Sequence, residues 1–469
     1  MKNTYKTLKT NILKKSIVLL FLSGFSFTGC ESFLETDLPN SQLITATVFD
    51  NRTTAEAALT DIYSKMRDSG LMTGKTTGIS NQLGNYTDEL VFYGNSTTST
   101  FAFYNNNLIG SNAQVAEIWN SSFKQIYAAN ALLEAVQGSG SLTIADKAQL
   151  KGEALFIRAL IHFYLSNIFG DIPYCDTSDY LKNSRISRLS PEIISEKITN
   201  DLLAALELLP YSDISKERVR PNKFAAHALL SRIYLYDKKW TQAAEHADAV
   251  IKNSSVYYLT PNSETVFLKQ SSATIWQFMP SVNGKNTDEG TTFYFSKVPP
   301  PQSALNPELV NEFTAGDLRK KHWILSLSGG GVTYYRANKY KQFSNTSSSL
   351  EYSIVFRLAE QYLIRAEANA NLGHLDSALE DLNRIRLNAG LQVSSAVSKE
   401  EILSAILHER KLELFTEFGH RFFDLKRSGS ISQVLAEKKI GWSKNDVIWP
   451  IPETELLLNP NLLPQNEGY

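Results

Sequence analysis

The stretch SRIYLYDKKWTQA, residues 231–243, can be set in register with AEANANLGHLDSA, residues 366–378. Both stretches open on a small residue and reach an alanine twelve residues later. This spacing predicts a helix, a tight turn and a second helix, with small side chains where the two helices cross. Trp240 in the first copy, or Leu375 in the second, is then expected to wedge between the helices, while the closing alanine permits their close approach.

Helical hairpins of this kind have the tetratricopeptide arrangement, in which each unit buries its apolar face only by stacking on the next. Three or more units are therefore expected. The segments 112–137 and 145–168 are candidates for another unit, because apolar residues recur there at helical spacing and Gly170 ends the second segment. A further helix is predicted from the Ser-Pro pair at 190–191 to Leu209.

Between the helical segments the composition changes. Residues 70–110 and 270–350 are rich in Gly, Ser, Thr, Asn and Pro and are interspersed with aromatic residues. Ordered loops of this length usually have a function, so we expect these regions to hold the ligand and the helical scaffold to lie mainly in 112–260 and 352–469. The predicted fold class is mainly α, a tetratricopeptide-like helical hairpin scaffold with a variable loop-rich region and a few short strands.

The N-terminus has the layout of a removable export signal. Five lysines precede an apolar run over residues 17–27, and two small residues precede Cys30. We predict a lipoprotein signal peptide over 1–29 and a single domain over 30–469, held to the membrane through an acylated Cys30. Phe27 stands where an aliphatic residue is usual, and an ordinary secretory signal with an incidental cysteine is the alternative.

The mature chain is acidic and nearly free of cysteine. The formal net charge of −1 becomes −6 when the five leader lysines are removed, which argues against nucleic acid as a partner. No stretch after the leader has the roughly eighteen apolar residues that a membrane crossing needs. Cys175 is the only other cysteine, so no intramolecular disulfide remains once Cys30 is acylated, and a packed thiol is a simpler interpretation of Cys175 than a nucleophile.

Several short blocks stand along the chain in a fixed order. They include Cys30-x-x-Phe33-Leu34-Glu35, Leu150-x-x-Glu153-Ala154, Phe169-Gly170-Asp171-Ile172-Pro173, Arg357-Leu358-Ala359-Glu360, Glu409-Arg410-x-x-Glu413-Leu414, Gly419-His420-Arg421 and Trp449-Pro450-Ile451-Pro452. This ordered series resembles the SusD/RagB family of outer-membrane nutrient-binding lipoproteins. The resemblance covers essentially the whole mature chain except the two aromatic loop regions.

The resemblance implies a non-enzymatic receptor built on tetratricopeptide helices that pack against a more variable ligand-binding region. Such proteins sit as lids on a TonB-dependent transporter barrel, their SusC-like partner, and the ligand that the resemblance implies is a glycan. It also implies a lipid-anchored location at the outer membrane, facing the exterior. The acidic residues Glu31, Glu35 and Asp37, just after the cysteine, resemble the context that sends such lipoproteins outward.

Three acids, Glu409, Glu413 and Glu417, recur every four residues on one helix face and raise the question of a glycosidase pair. Retaining glycosidases hold their two carboxyl groups about 5 Å apart on opposite sides of a scissile bond, which neighbours on one helix rarely do. Arg410 and Arg421 stand three or four residues from these acids. A structural ion-pair network is therefore the simpler interpretation, and we predict no catalytic residue.

No metal or cofactor motif occurs in the sequence. His374, His408 and His420 do not have the spacing of a metal motif, and the glycine run 329–331 lacks the Lys-Ser/Thr pair of a phosphate loop. We therefore predict no metal-binding residues and no cofactor, and we interpret the glycine run as a turn. A structural Ca²⁺ in an acidic loop stays open, although no EF-hand pattern occurs.

A carbohydrate site needs aromatic rings for the apolar C–H faces of sugars and polar side chains for their hydroxyl groups. The stretches 85–107 and 323–338 have that composition. The candidate ligand-binding residues are Tyr93, Tyr104, Trp323 and Tyr335.

Packing in the interior is the alternative explanation for each of these rings. The alternation at Phe101 and Phe103 is typical of a buried strand face, and Trp276 is expected to lie in the core. No motif of the family identifies the ligand-binding positions.

Four interpretations of the function stay open at this point. The first is a receptor that delivers a glycan to a transporter, and the second is a receptor for peptides or glycoprotein fragments on the same scaffold. A glycoside hydrolase and a periplasmic tetratricopeptide scaffold without a small ligand are less favoured. The identity of the ligand and its linkages do not follow from the sequence.

Overall fold

The structure is a computed structural model, and it describes residues 51–469. The predicted signal peptide over 1–29 and the predicted lipid attachment at Cys30 lie outside the described residues. The helices are α1 (Arg52–Asp68), α2 (Ile79–Tyr86), α3 (Ser99–Tyr104), α4 (Ala113–Gly138), α5 (Ile144–Phe169), α6 (Tyr180–Asn183), α7 (Pro191–Leu208), α8 (Lys223–Tyr236), α9 (Trp240–Ile251), α10 (Asp288–Thr292), α11 (Pro307–Asn311), α12 (Leu318–Trp323), α13 (Leu358–Leu372), α14 (Leu375–Asn388), α15 (Lys399–Leu414), α16 (His420–Arg427), α17 (Ile431–Lys438) and α18 (Glu453–Leu458). The strands are β1 (Leu90–Phe92), β2 (Thr274–Phe278), β3 (Ser303–Leu305), β4 (Ile324–Gly329), β5 (Val332–Ala337) and β6 (Ser353–Arg357).

The long helices begin and end where local sequence signals place them. α4 starts after Asn112, whose side-chain oxygen accepts hydrogen bonds from two backbone N–H groups of the first turn. α5 starts after Thr143, which caps it in the same way, and ends at Gly170 with a φ of +77°. α7 carries Pro191 as its first residue. The three helices predicted here are confirmed to within one residue at each end.

Both predicted helical hairpins form, α8 with α9 and α13 with α14. Ala243 and Ala378 are fully buried in them, whereas Trp240 and Leu375 are only partly buried. α9 packs on α13, and α13 packs on α15, so the two hairpins lie side by side. α4 packs on α5 and α5 on α7 in the same manner. The prediction of a mainly α, hairpin-based scaffold with a few short strands is confirmed.

None of the helices within residues 51–469 is long and apolar enough to cross a lipid bilayer.

The strands of the described region build two antiparallel sheets. One has four strands in the order β1-β3-β5-β4, and the other pairs β2 with β6. In the β4–β5 hairpin, Gly329 pairs with Val332, and the turn between them uses Gly330 and Gly331 at φ values of +60° and +79°. Positive φ at both positions is the geometry of a type I′ turn, one of the two favoured two-residue hairpin turns. The glycine run is therefore a turn, as predicted.

The loop-rich region has a hydrophobic core of its own. The core reaches the helical scaffold through Phe415, which directly follows α15. Its largest buried members are Phe267, Phe293, Phe313, Trp323 and Phe415. Because each fully buried side chain of this size stabilises the fold by about 1.5–3 kcal/mol, this core gives the four-stranded sheet a rigid base.

Of the two predictions for aromatic residues outside the candidate site, one is confirmed and the other is wrong. Trp276 lies in β2 and is fully buried, so its assignment to the core is confirmed. The strand interpretation of Phe101 and Phe103 is wrong, because residues 99–104 form helix α3 and Phe103 is buried in it. A segment of six residues is too short for its apolar spacing to distinguish a strand from a helix.

Candidate functional site

A pair of tyrosines marks the outward face of the four-stranded sheet. Tyr93 directly follows β1, and its backbone N–H donates a hydrogen bond of 2.9 Å to the carbonyl oxygen of Gln302. The ring of Tyr93 meets the ring of Tyr334, from β5, edge to face, with centroids 5.2 Å apart and an angle of 81° between the planes. Tyr93 is 37% exposed, so the pair presents ring surface to solvent.

A second aromatic pair lies along the same surface. Tyr294 stacks on Phe343 with centroids 3.7 Å apart, and Phe343 is 45% exposed. Arg336 links the two pairs, because its guanidinium carbon lies 4.6 Å from the centroid of Tyr294 and it stands two residues after Tyr334, on the same face of β5. We call these five side chains, Tyr93, Tyr294, Tyr334, Arg336 and Phe343, the aromatic row.

Arg336 is half-buried and is held by neutral oxygen atoms. Its Nη1 donates a hydrogen bond of 3.1 Å to the carbonyl oxygen of Phe295, and its Nη2 donates one of 3.2 Å to Oδ1 of Asn338. Burial lowers the pKa of Arg336 from its usual value, because removing a charge from water disfavours the ionised form. The side chain nevertheless stays charged, as arginine does in proteins generally.

Tyr104 lies beside the aromatic row. One face of its ring is covered by Lys439, whose Nζ lies 3.9 Å from the ring centroid and donates a hydrogen bond of 2.7 Å to the carbonyl oxygen of Asn85. Burial lowers the pKa of Lys439 to about 7. Burial also raises the pKa of Tyr93, and the phenol groups of Tyr334 and Tyr104 raise it further. The structure therefore brings two of the predicted residues, Tyr93 and Tyr104, into one neighbourhood.

Tyr335 points to the opposite face of β5. It pairs with Leu305 of β3 and packs, partly buried, against the core of the loop-rich region. Successive residues of a strand face opposite sides of a sheet, so its neighbour Tyr334 is the tyrosine that faces Tyr93. The sequence indicates that Tyr334 and Tyr335 lie on opposite faces of a strand. Which of the two faces the core depends on the pairing of β5 with β3.

Trp323 lies in the core and not on the surface. It is 3% exposed, its ring packs edge to face on Phe267 at 5.3 Å, and its indole N–H donates a hydrogen bond of 2.8 Å to the carbonyl oxygen of Ser263. Both the apolar body and the polar edge of the side chain are thus satisfied inside the protein. The expectation that Trp323 presents its ring to a ligand is not met in this structure.

Tyr294, Tyr334, Arg336 and Phe343 are site candidates that the predicted set of ligand-binding residues does not include. Their only signal in the sequence is the general one, an aromatic or basic residue within the Gly- and Asn-rich segment 270–350. The contact between Tyr294 and Phe343 joins two parts of that segment that are far apart along the chain. Single-residue patterns do not reveal such a contact.

Glu413 and Glu417 are buried in an ion-pair network. Arg357 donates to both, with Nη1 2.5 Å from Oε1 of Glu413 and Nε 2.6 Å from Oε2 of Glu417. Arg319 lies 3.0 Å from Glu413, and Lys339 lies 2.5 Å from Glu417. Burial alone would raise the pKa of Glu413, but Arg357 and Arg319 outweigh it and hold this pKa below its usual value.

This arrangement does not suit glycoside hydrolysis. A general acid needs a raised pKa and access to a substrate in a cleft, whereas the pKa of Glu413 is lowered and both carboxylates are enclosed among cationic side chains. The structural interpretation of the acids is confirmed, but their predicted partners differ. Arg410 pairs with Asp424 and Arg421 pairs with Asp88.

The thiol of Cys175 and the possible metal ligands were the remaining candidates for chemistry. Cys175 is buried, and burial raises the pKa of its thiol to about 12, which does not suit a nucleophile. Within residues 51–469, no three His, Cys, Asp or Glu side chains are grouped so that they could hold a metal ion. The expectation of no cofactor and the open alternative of a structural Ca²⁺ stay predictions.

Two family models match the chain. Residues 32–235 match the SusD-like model described as "Starch-binding associating with outer membrane". Residues 283–469 match the model of the SusD family, SusD_RagB. The second match contains most of the aromatic row, and the first contains Tyr93.

Curated relatives and solved structures agree with these matches. SusD-like protein P2 of Formosa agariphila is 26% identical, over 97% of this chain and 100% of its own length. A SusD superfamily protein from Bacteroides vulgatus superposes with a TM-score of 0.78 at 22% identity, covering 90% of this chain and 100% of the other. A structure described as a laminarin-binding SusD-like protein superposes with a TM-score of 0.75 at 25% identity, covering 89% and 100%.

Proposed function

Because this chain belongs to the SusD/RagB family of carbohydrate-binding proteins, we propose that it captures a glycan on the aromatic row and passes it to a SusC-like TonB-dependent transporter in the outer membrane. Like its relatives, it is a binding protein and not an enzyme. The observation that carries the proposal is the contact between Tyr93 and Tyr334, which places partly exposed rings side by side on a rigid sheet.

The geometry of the aromatic row suits a sugar chain. Flat rings bind the apolar C–H faces of sugars, and polar groups beside them bind the hydroxyl groups. In the aromatic row, two aromatic pairs flank the donors of Arg336. We propose Tyr93, Tyr334, Tyr294 and Phe343 as stacking residues, with Tyr104 at the margin of the site. Tyr335 and Trp323 are left out, because they pack in the core.

One feature favours the second candidate, a receptor for peptides. β4 is an edge strand of the four-stranded sheet, and an extended peptide binds an edge strand through main-chain hydrogen bonds. The aromatic row lies on the face of the sheet and not along this edge, so it has no role in that mode. We therefore rank the glycan first.

The family and the N-terminal sequence support a location at the outer membrane. Family members associate with the outer membrane, and we propose that Cys30 carries the lipid that anchors this chain there, with the domain facing the exterior. An anchor at one end of the chain leaves the domain free to cover a transporter barrel. The SusC-like partner and the exterior orientation are part of the proposal.

The proposal is tested by binding. The mature chain with Cys30 replaced by Ala is titrated calorimetrically with a panel of polysaccharides, which begins with laminarin because a structural relative is described as binding it, and with a panel of peptides. We expect at least one glycan to bind and Tyr93→Ala to weaken that binding. Tyr180→Ala, which removes a 67% exposed tyrosine of α6, is the matched control. Binding of peptides and of no glycan would replace the proposal with the peptide receptor.

A further inference from the structure

Arg336 differs from most arginines of the described region in having no acidic partner. Arg158, Arg232 and Arg421, for example, each lie within 3 Å of a carboxylate oxygen. Among residues 51–469, no Asp or Glu oxygen lies within 4.0 Å of the Arg336 guanidinium, whose recorded hydrogen bonds go to a backbone carbonyl and to an amide side chain. Its positive charge is therefore not neutralised by the protein.

The guanidinium retains capacity for a further partner. An arginine side chain has five N–H donors, and the two hydrogen bonds of Arg336 use only part of them. The guanidinium carbon lies 4.6 Å from the centroid of the Tyr294 ring, and the phenol of Tyr294 also interacts with the guanidinium as a neutral group. Planar, two-pronged donors of this kind match the oxygens of a carboxylate or a sulfate.

Two acids that are close in sequence to residues of the aromatic row have other partners. Glu351, close in sequence to Phe343, accepts hydrogen bonds from the backbone N–H groups of Lys341 and Gln342. Asp288, in α10, lies 3.2 Å from the ammonium of Lys285. Neither forms an ion pair with Arg336, so an anion that reached the guanidinium would not displace a carboxylate.

From this unpaired charge in the middle of the aromatic row, we infer that the glycan is acidic and that its carboxylate or sulfate group pairs with Arg336. The inference rests on the proposed function and narrows it to one class of ligand. Arg336 lies two positions after Tyr334 on the same strand face, so the two residues are about 6.6 Å apart along the strand. A sugar stacked on Tyr334 would therefore lie close to the guanidinium. This distance is on the scale of one sugar unit, so ring stacking and charge pairing act on the same or adjacent sugars.

The competing explanation is that Arg336 only fastens β5 to the segment before it through the carbonyl oxygen of Phe295. Such a role would make the residue matter for stability but not for the charge of the ligand. The two roles are separated by comparing ligands that differ only in charge. That comparison can be made on the unaltered binding surface, so it does not depend on whether a variant folds.

The experiment titrates the mature chain, with Cys30 replaced by Ala, against two matched pairs of glycans. One pair is laminarin and sulfated laminarin, and the other is polygalacturonate and its methyl ester. We expect the acidic member of at least one pair to bind about tenfold more tightly than the neutral member, and this ratio to fall as NaCl is raised. The pair that shows the preference tells whether sulfate or carboxylate is recognised.

The variants then assign the preference to one residue. Arg336→Gln is expected to bring the ratio of acidic to neutral affinity close to one, and Arg336→Lys to retain part of it, because lysine keeps the charge but not the fork of donors. Lys252→Gln, which removes an exposed charge just after the end of α9, should leave the ratio unchanged. Thermal unfolding of each variant checks that it is folded.

Equal affinities for the acidic and the neutral member of both pairs would overturn the inference and leave the proposed function standing. A preference for the acidic member that is unchanged in folded Arg336→Gln would have the same consequence. If no glycan of the larger panel binds, the proposed function fails and the inference fails with it. The two failures are therefore distinguishable.

Discussion

Lys238 and Gly373 occupy equivalent positions in the two helical hairpins, and both hold a left-handed backbone, with φ values of +59° and +85°. Each residue follows the first helix of its hairpin and turns the chain into the second. The same turn is thus built once with a strained lysine and once with a glycine that adopts this conformation without strain.

This relationship predicts opposite effects of substitution. Gly373→Ala should lower the free energy of unfolding by about 1 kcal/mol, because an L side chain is strained there, although its Cβ would meet no atom within 4 Å. Lys238→Gly should leave stability unchanged or raise it slightly, since the relief of strain opposes the greater chain entropy of glycine. Urea unfolding measures both. Gly138→Ala in α4, also free of contacts but without a positive φ, is the control and should stabilise by up to about 1 kcal/mol.

Substitution of Tyr334 should affect glycan binding, whereas substitution of its neighbour Tyr335 should affect stability. Tyr334→Ala is expected to weaken glycan binding about five- to tenfold, which corresponds to about 1–1.4 kcal/mol, with little change in unfolding. Tyr335→Ala is expected to lower the free energy of unfolding by about 1–3 kcal/mol, because its ring packs against the core. Calorimetric titration and urea unfolding of both variants check this, and a larger loss of affinity in folded Tyr335→Ala than in Tyr334→Ala would contradict the assignment of faces.

Glu289 should make stability depend on pH. Its Oε1 accepts a hydrogen bond from the hydroxyl of Ser353, its Oε2 is buried without a partner, and burial raises its pKa to about 7. In the unfolded chain a glutamate has a pKa of about 4.3. The folded state therefore holds a proton that the unfolded state has lost, and the stabilisation present below about pH 4.3 is lost as the pH rises to about 7.

The variant Glu289→Gln removes this titration. Relative to the wild type, its free energy of unfolding should increase between about pH 5 and pH 8, by up to about 3 kcal/mol. Urea unfolding at several pH values measures the difference between the two proteins. Glu400→Gln, which replaces an exposed carboxylate at the start of α15, should show a constant difference over this range. A constant difference for Glu289→Gln as well would refute the argument.

Cys30 should matter for the cell and not for the purified domain. Cys30→Ala is expected to release the protein from membranes and to abolish uptake of the bound glycan. The calorimetric affinity should stay the same, because the lipid that we propose at Cys30 would anchor the domain and take no part in the aromatic row. Fractionation of cells and growth on the glycan measure the first two effects. Loss of affinity in the purified variant would contradict this division of roles.

The scaffold was predictable because its signals are local. The caps at Asn112 and Thr143 and the recurrence of apolar residues belong to single segments of the chain, and helices are built from contacts within such segments. The site was only partly predictable. The pairing of Tyr93 with Tyr334 depends on β3 lying between β1 and β5, which no local pattern encodes.

The differences between the sequence-based expectations and the structure have the same physical origin. Trp323 and Tyr335 have the composition of a sugar site around them, but composition does not tell which side of a strand or helix faces the core. The partners of Glu413 come from β6 and α12, far away in sequence, whereas the predicted Arg410 is near it along the chain. Nearness in sequence was a poor guide wherever the contact crosses the molecule.

On β5, the residues that hold the sheet to the core alternate one by one with those that face outward. Tyr335 and Ala337 pack against the core beneath them, whereas Tyr334 and Arg336 face outward, and Arg336 is held there by hydrogen bonds to Phe295 and Asn338. Substitutions at the outward positions of this strand would therefore change the surface that the sheet offers to a ligand and leave its contacts with the core in place. Core-facing and outward-facing positions thus alternate within the six residues of β5.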